Sequence, residues 1–210
     1  MPKTVDYYFS ISSPWAYIGL DRFRALAAEH DLKIEPYLIT IIEANGAIPS
    51  KSRPEPRRAH WKKDLVRWAR YLDKTVLIDG RDNQGRPTTD WVPASFMIIA
   101  AQLDGLDWIE LVAAMQERWW GHVDDIGLPE VRGRIADDAG FDGAALLARE
   151  QDADVQAKWQ GNLARAKANG IFGSPTYVYE GEPYWGQDSL PFLKMHLTGE
   201  MTPLPLRAAE

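Results

Sequence analysis

A serine stands where a strand of this chain would pass into its first helix. Ser12-Ser13-Pro14-Trp15 follows a segment of alternating apolar residues. Serine followed by proline is typical of a helix start, with serine as N-cap and proline at the first helical position. Free N–H groups and a partial positive charge at a helix N-terminus stabilise an anion such as a thiolate. The turn therefore fits an ordinary cap or an anion site to which the Ser13 hydroxyl donates.

Two further segments near the C-terminal end also combine turn residues with polar side chains. In Phe172-Gly173-Ser174-Pro175-Thr176 a proline opens a strand candidate, which fits an ordinary edge-strand entry or a cis peptide bond. In Trp185-Gly186-Gln187-Asp188-Ser189 the last two residues precede a helix. They either cap that helix or recognise an ammonium and carboxylate pair, with Asp188 binding the cation and Ser189 the anion.

The absence of cysteine limits the reactions that this chain can perform with its own side chains. With no cysteine in 210 residues, disulfides, thiolate metal sites, cysteine nucleophiles and CxxC redox chemistry are excluded. The four histidines are scattered without ligand spacing, so no metal site is predicted. Any thiol chemistry must therefore use the sulfur of a ligand.

Charge and hydropathy limit the partners. A net charge of −6 argues against a nucleic-acid partner. A basic run between residues 51 and 63 includes Arg57 and Lys62, and it is either solvated surface or an attraction for a carboxylate-bearing substrate. The N-terminus lacks the apolar core of a signal peptide, and no run of about 18 apolar residues exists. We therefore predict a cytoplasmic protein without a membrane partner.

The elements that must position these residues begin as a βαβ unit. Residues 4–11 alternate as a strand, a helix follows from Pro14, and residues 33–39 form a second strand in which Pro36 indicates an edge or a bulge. The prolines and glycine between Asn45 and Arg58 predict a loop. Helical spacing then predicts helices over 59–72, 93–104, 107–120, 129–139 and 143–150, with a polar turn region from Gly80 to Thr89.

Strand character returns only near the C-terminal end. A helix over 152–169 precedes strands at 175–179 and 183–185, a final helix around Leu190–Leu197 and an irregular tail. A helical block between two halves of one sheet indicates an insertion, because neither half closes a core alone. We predict one unit formed by residues 1–42 and 154–210, with residues 43–153 inserted as a helical domain.

Three stretches carry a resemblance to a known family: VDYYFSISSPWAY, HWKKDLVRWA after an arginine-rich segment, and IFGSPTYVYEGEPYWGQDSLPFL. In this order they resemble the 2-hydroxychromene-2-carboxylate isomerases, a DsbA-like branch of the thioredoxin folds related to the kappa-class glutathione transferases. The resemblance implies an α/β thioredoxin-like fold with a large all-α insertion between its βαβ and ββα halves. It also implies glutathione as the cofactor.

The same resemblance implies a role for each candidate residue. Ser13 would hold the glutathione sulfur, and the Ser174 backbone with a cis Pro175 would bind the cysteinyl part. Asp188 and Ser189 would bind the γ-glutamyl end, although Ser189 stands where many members have arginine.

Further residues are candidates for binding the carboxylates of the ligands and the aromatic ring of the substrate. Arg57, with Asn45 and Lys62, is implied to serve carboxylates of glutathione or substrate. The aromatic ring of the substrate would contact tryptophan side chains. The candidates are Trp15, Trp91 and Trp185, and further choices are Trp61, Trp119 and Trp120. Ala16 replaces a serine that is common in the naphthalene-pathway enzymes.

The implied activity is isomerisation of an aromatic 2-oxo acid in aromatic catabolism by addition and elimination of the glutathione thiolate, in a homodimer. One alternative is a kappa-like glutathione transferase, which keeps the conjugate. The other is an inactive thioredoxin-fold binding protein.

Overall fold

A mixed four-stranded sheet lies at the centre of the fold. Its strands are β1 (Thr4–Phe9), β2 (Lys33–Leu38), β3 (Thr176–Tyr179) and β4 (Glu182–Trp185), in the spatial order β2-β1-β3-β4. Strand β1 pairs in parallel with β2 and antiparallel with β3, and β3 pairs antiparallel with β4. The computed structural model describes residues 3–40, 42–49, 52–78 and 89–202.

The prediction of an edge position for Pro36 is confirmed. Strand β2 is one of the two edge strands of the sheet, and Pro36 lies opposite Tyr7 of β1. A proline lacks the N–H group that a residue of an inner strand donates to a neighbouring strand, whereas an edge strand has one side without a neighbour and accommodates it.

Eight α-helices occur in the described ranges. They are α1 (Pro14–Glu29), α2 (Glu55–Tyr71), α3 (Val92–Leu103), α4 (Trp108–Gly121), α5 (Pro129–Asp138), α6 (Gly143–Arg149), α7 (Ala153–Ala168) and α8 (Leu190–Thr198). Short 3₁₀ turns cover Glu43–Asn45 and Gln187–Ser189. The predicted helices from α3 to α7 agree with these bounds to within one residue.

The start of α2 corrects one prediction. The segment Asn45–Arg58 was expected to be a loop, but α2 begins at Glu55. Pro54 is its N-cap and Pro56 lies in its first turn, where the helix needs no N–H donor. The prolines that suggested a loop are thus part of a helix start.

One hydrophobic core joins the sheet to the helical segment. Phe9 of β1, Ile18 of α1, Met97 of α3 and Leu111 of α4 belong to the same buried cluster. The predicted division at residues 43 and 153 stays a prediction. A smaller cluster lies between the sheet and α7, formed by Tyr8, Ile39, Ile42, Ala166 and Ile171.

Some predictions fall outside the described residues. These are the polar turn region from Gly80 up to residue 88 and the end of the tail from residue 203. Across the ranges that are described, no helix has both the length and the apolar character needed to cross a bilayer. In the same ranges no group of three or more His, Asp or Glu side chains is arranged to hold a metal ion.

Candidate active site

Ser13 occupies the N-terminus of α1, as its spacing before Pro14 predicts. Its backbone is extended, and its Oγ accepts a hydrogen bond of 3.2 Å from the Ala16 amide while Pro14 fills the first helical position. The side chain is almost fully buried, with 9% exposed. The ordinary capping role is therefore present, whatever else Ser13 does.

The same hydroxyl connects the turn to the loop before β3. Ser13 Oγ donates to the Ser174 carbonyl at 3.0 Å, and the Ser10 amide donates to Ser174 Oγ at 2.8 Å. The Ser174–Pro175 peptide bond is cis, as the resemblance implies. Ser13 and Pro175 thus lie on two segments that are hydrogen-bonded to each other.

Backbone donors in these segments stay available. Pro14 has no N–H, and the Ala16 and Tyr17 amides are taken up by the Ser13 side chain and carbonyl. The N–H groups of Trp15 and Ser174 have no partner among the described residues. Free amides beside a helix N-terminus are the donors that an anion uses.

The turn after β4 joins the same region. The Gly186 amide donates to the Pro175 carbonyl at 2.9 Å, and Ser189 N donates to the Gly186 carbonyl at 3.1 Å. Asp188 is exposed, whereas Ser189 is half-buried and its hydroxyl donates to the Trp185 carbonyl at 2.5 Å. Both residues lie in the 3₁₀ turn ahead of α8, and Ser189 is the N-cap residue of that helix, but its side chain makes no capping hydrogen bond.

Charges on both sides of this turn act on a buried tyrosine. Burial raises the pKa of Tyr177 far above its ordinary value, the positive charge of Arg22 lowers it, and the negative charge of Asp188 raises it. The Tyr177 hydroxyl lies beside Gly19 of α1, where Gln187 also packs.

Two exposed aromatic rings border the cis-proline loop. Trp185 is 56% exposed and Phe172 is 45% exposed, and their rings meet edge to face with centroids 4.8 Å apart. A Cβ atom on Gly173 would collide with the Trp185 indole, so a larger residue there would displace the ring from this position. Phe172 was not among the predicted site residues, although it directly precedes the Gly-Ser-Pro signal.

The other candidate tryptophans divide into two groups. Trp15, Trp61 and Trp91 are half-buried against the main core, with Trp15 two residues beyond Ser13, Trp61 on α2 and Trp91 immediately ahead of α3. Trp119 and Trp120 are 8% and 6% exposed and belong to the core itself. These two side chains therefore offer almost no surface to a substrate.

The three candidates for binding carboxylates lie on other parts of the fold. Asn45 Nδ2 donates to carbonyls at the end of α7 and to the Ile171 carbonyl at 3.0 Å, so only its amide oxygen is left for a ligand. Arg57 is exposed on the first turns of α2. Lys62 lies on the same helix, in a groove that also contains Val66 and Ile78.

A buried glutamine supports the Ser13 turn from below. Gln116 of α4 is fully buried, and its Nε2 donates to the Ile11 carbonyl at 3.3 Å. The sequence analysis missed this contact. Its only signal is an uncharged polar residue in the apolar stripe of a helix.

Fold and site together define a thioredoxin-fold protein that has serine at the first helix N-terminus, opposite a cis proline. Residues 4–198 match the family described as DSBA-like thioredoxin domain. A 2-hydroxychromene-2-carboxylate isomerase from Sphingobium xenophagum is 30% identical over 203 residues, covering 94% of this chain and 99% of the relative. One from Pseudomonas putida is 23% identical, covering 89% and 90%. The chain belongs to the 2-hydroxychromene-2-carboxylate isomerase family of DSBA-like proteins.

Solved structures agree with the fold. A selenomethionine 2-hydroxychromene-2-carboxylate isomerase superposes with a TM-score of 0.76 at 20% identity, covering 94% of this chain and 95% of its own. The cytosolic disulfide reductase DsbM from Pseudomonas aeruginosa, solved with GSH, superposes with a TM-score of 0.66 at 17% identity, covering 93% and 99%.

Proposed function

We propose that this chain is a glutathione-dependent isomerase of an aromatic 2-oxo acid, of the type that converts 2-hydroxychromene-2-carboxylate to trans-o-hydroxybenzylidenepyruvate. The observation that carries the proposal is the 3.0 Å hydrogen bond from Ser13 to Ser174, which joins a helix N-terminus to a cis-proline loop in a chain without cysteine. The names of the relatives support the isomerase outcome.

The residues present suit glutathione. The free amides of Trp15 and Ser174 are donors for the sulfur and the cysteinyl group, and the exposed Asp188 carboxylate suits the glutamyl ammonium. The Ser174 carbonyl already accepts from Ser13, but its second lone pair leaves room for a peptide N–H. When bound, glutathione supplies a thiolate that adds to an electron-poor conjugated carbon and leaves again unchanged.

The N-terminus of α1 and the Ser13 hydroxyl together stabilise that charge by an amount of the required order. A free thiol has a pKa of about 8.5, and lowering it by two units requires about 2.7 kcal/mol. The helix end contributes about 0.3–1 kcal/mol, up to about 2 when partly buried. A hydrogen bond to an ion adds about 1.5–3 kcal/mol. To donate it, the Ser13 hydroxyl turns away from the Ser174 carbonyl and gives up a neutral bond of about 1 kcal/mol.

The substrate meets the exposed aromatic pair and the half-buried Trp15 in this proposal. Trp185 and Phe172 present ring surface next to the cis-proline loop. Trp91, Arg57, Lys62 and the Asn45 oxygen stay as further candidates for the substrate ring and carboxylates. A cytoplasmic homodimer completes the proposal, on the basis of the family resemblance.

The test is conversion of 2-hydroxychromene-2-carboxylate with and without glutathione. We expect the isomer to form only when glutathione is present and isotope-labelled glutathione to be recovered unchanged. Label retained in the product would instead identify a kappa-like transferase. If millimolar glutathione neither supports conversion nor raises the melting temperature, the chain is a binding protein without this cofactor.

A further inference from the structure

Helix α1 makes a second close contact with the site, at Gly19. A Cβ atom there would lie only 2.5 Å from the Gln187 Cβ, so the turn Gln187–Ser189 packs directly on the helix backbone. Gly19 is six residues beyond Ser13, which corresponds to about 9 Å along the helix. An extended tripeptide spans about 10 Å. Along α1, Ser13 and Gly19 are therefore separated by about the length of glutathione.

A side chain of α1 holds this turn. Arg22 Nη1 donates to Gln187 Oε1 at 2.9 Å, and Gln187 is 1% exposed. A guanidinium group only donates, so the acceptor must be the amide oxygen. The Gln187 Nε2 group is buried without a hydrogen-bond partner in the described part of the chain. Among the described residues, Arg22 is thus the one hydrogen-bond partner of the Gln187 side chain.

We propose that Arg22, acting through Gln187, is a positioning residue that sets the place of Asp188 and Ser189 relative to Ser13. The inference rests on the proposed function, because it assigns these two residues to the γ-glutamyl end. The Gly186 amide donates to the Pro175 carbonyl, which fixes the residue ahead of the turn. Arg22 holds the first residue of the turn, Gln187, from the helix that also carries Ser13. The residues proposed for both ends of the ligand are therefore positioned by one helix.

The experiment is a double-mutant cycle on glutathione affinity, measured by calorimetry with Arg22→Met and Asp188→Asn. Arg22→Met is expected to weaken binding by about tenfold in the native background. In the Asp188→Asn background it is expected to weaken binding by less than about threefold, because the group it positions is already lost. At saturating glutathione the pKa of the bound thiol should stay at the value of the unaltered chain.

Arg24→Met is the matched control. Arg24 lies on the same helix, and its substitution removes a hydrogen bond of comparable length, 2.7 Å, to Glu110. None of the contacts described for Arg24 involves the turn Gln187–Ser189. Its glutathione affinity should be unchanged. Gln187→Glu should keep native affinity, since it retains an acceptor for Arg22. Gly19→Ala should reproduce the selective loss while improving intrinsic helix propensity.

The outcomes separate the two levels of the account. If the unaltered chain does not bind glutathione, the proposed function and this inference both fail. If it binds and Arg22→Met has no effect, only the positioning role fails. Equal losses in both backgrounds, or a shifted thiol pKa, would reduce Arg22 to a general structural residue and likewise overturn the inference.

Discussion

The hydroxyl of Ser13 and the carbonyl oxygen of Ser174 lie 3.0 Å apart, with Ser13 as the donor. A second bond of 2.8 Å runs in the opposite direction, from the Ser10 amide to Ser174 Oγ. The two bonds link the β1–α1 turn to the cis-proline loop through both the backbone and the side chain of one residue. The Ser13 hydroxyl therefore lies between the helix N-terminus and the cis-proline loop, the two segments that the proposed thiolate would contact.

Replacing Ser174 by alanine tests the second of these bonds. The Ser10 amide would lose its acceptor, and the free energy of unfolding should fall by about 1–3 kcal/mol. Glutathione affinity should change little, because the role proposed for Ser174 uses its backbone. Denaturant unfolding measures the first quantity and calorimetry the second. Ser12→Ala is the control, since among the described residues that hydroxyl hydrogen-bonds only to the Ser10 hydroxyl, at 3.1 Å. Equal destabilisation by both variants would contradict the assignment.

Asp188→Asn tests recognition of the glutamyl ammonium. Removing a charge that pairs with a cation should weaken glutathione binding by about tenfold. Because Asp188 is exposed, the melting temperature should hardly change. Glu182→Gln, at the start of the adjoining β4, controls for the loss of one negative charge. Equal affinities for the two variants would remove Asp188 from the site.

Two neighbouring tyrosines should respond oppositely to loss of their hydroxyl. The Tyr7 hydroxyl is buried without a partner in the described ranges, so Tyr7→Phe should leave stability unchanged or raise it by up to about 1 kcal/mol. The Tyr8 hydroxyl accepts from Arg165 at 3.1 Å and from Asn169 at 3.0 Å. Tyr8→Phe should therefore cost about 1–2 kcal/mol in denaturant unfolding. A larger cost for Tyr7→Phe would be inconsistent with this packing.

Stability should fall at alkaline pH. Burial raises the pKa of Tyr37 to about 12, and burial also raises the pKa of Tyr7 well above its ordinary value. Folding thus favours the neutral phenol, and this contribution is complete below the unfolded pKa of about 10 and is lost as pH rises through the folded value. We expect the free energy of unfolding to decline from about pH 10 to 12, and less steeply in Tyr37→Phe. Identical profiles for the two proteins would refute the assignment to Tyr37.

Local signals in the sequence predicted the helices and strands and the turns at which Ser13, Ser174 and Asp188 lie. The alternation of β1, the serine and proline at the start of α1, and the helical spacing of the middle segment all reflect interactions between near neighbours. The start predicted for α2 was wrong because Pro54 and Pro56 are compatible with either a loop or a first helical turn.

Contacts between distant segments left no comparable signal. Arg22 and Gln187 are 165 positions apart, and Asn45 caps α7 from 121 positions away. Nothing in their own neighbourhoods marks these side chains as partners, since the fold alone brings them together. Phe172 is closer in sequence to its partner, but its edge contact with Trp185 likewise depends on the fold, because β4 must return beside the cis-proline loop.

The most direct test of the account is the pKa of the glutathione thiol when bound, followed by the ultraviolet absorbance of the thiolate in the native chain, Ser13→Ala and Ser12→Ala. We predict a pKa well below the free value of about 8.5 in the native chain and in Ser12→Ala. In Ser13→Ala it should rise by at least about one unit, because a hydrogen bond to the charged sulfur is lost. The same thiol pKa in all three proteins would contradict the role of Ser13.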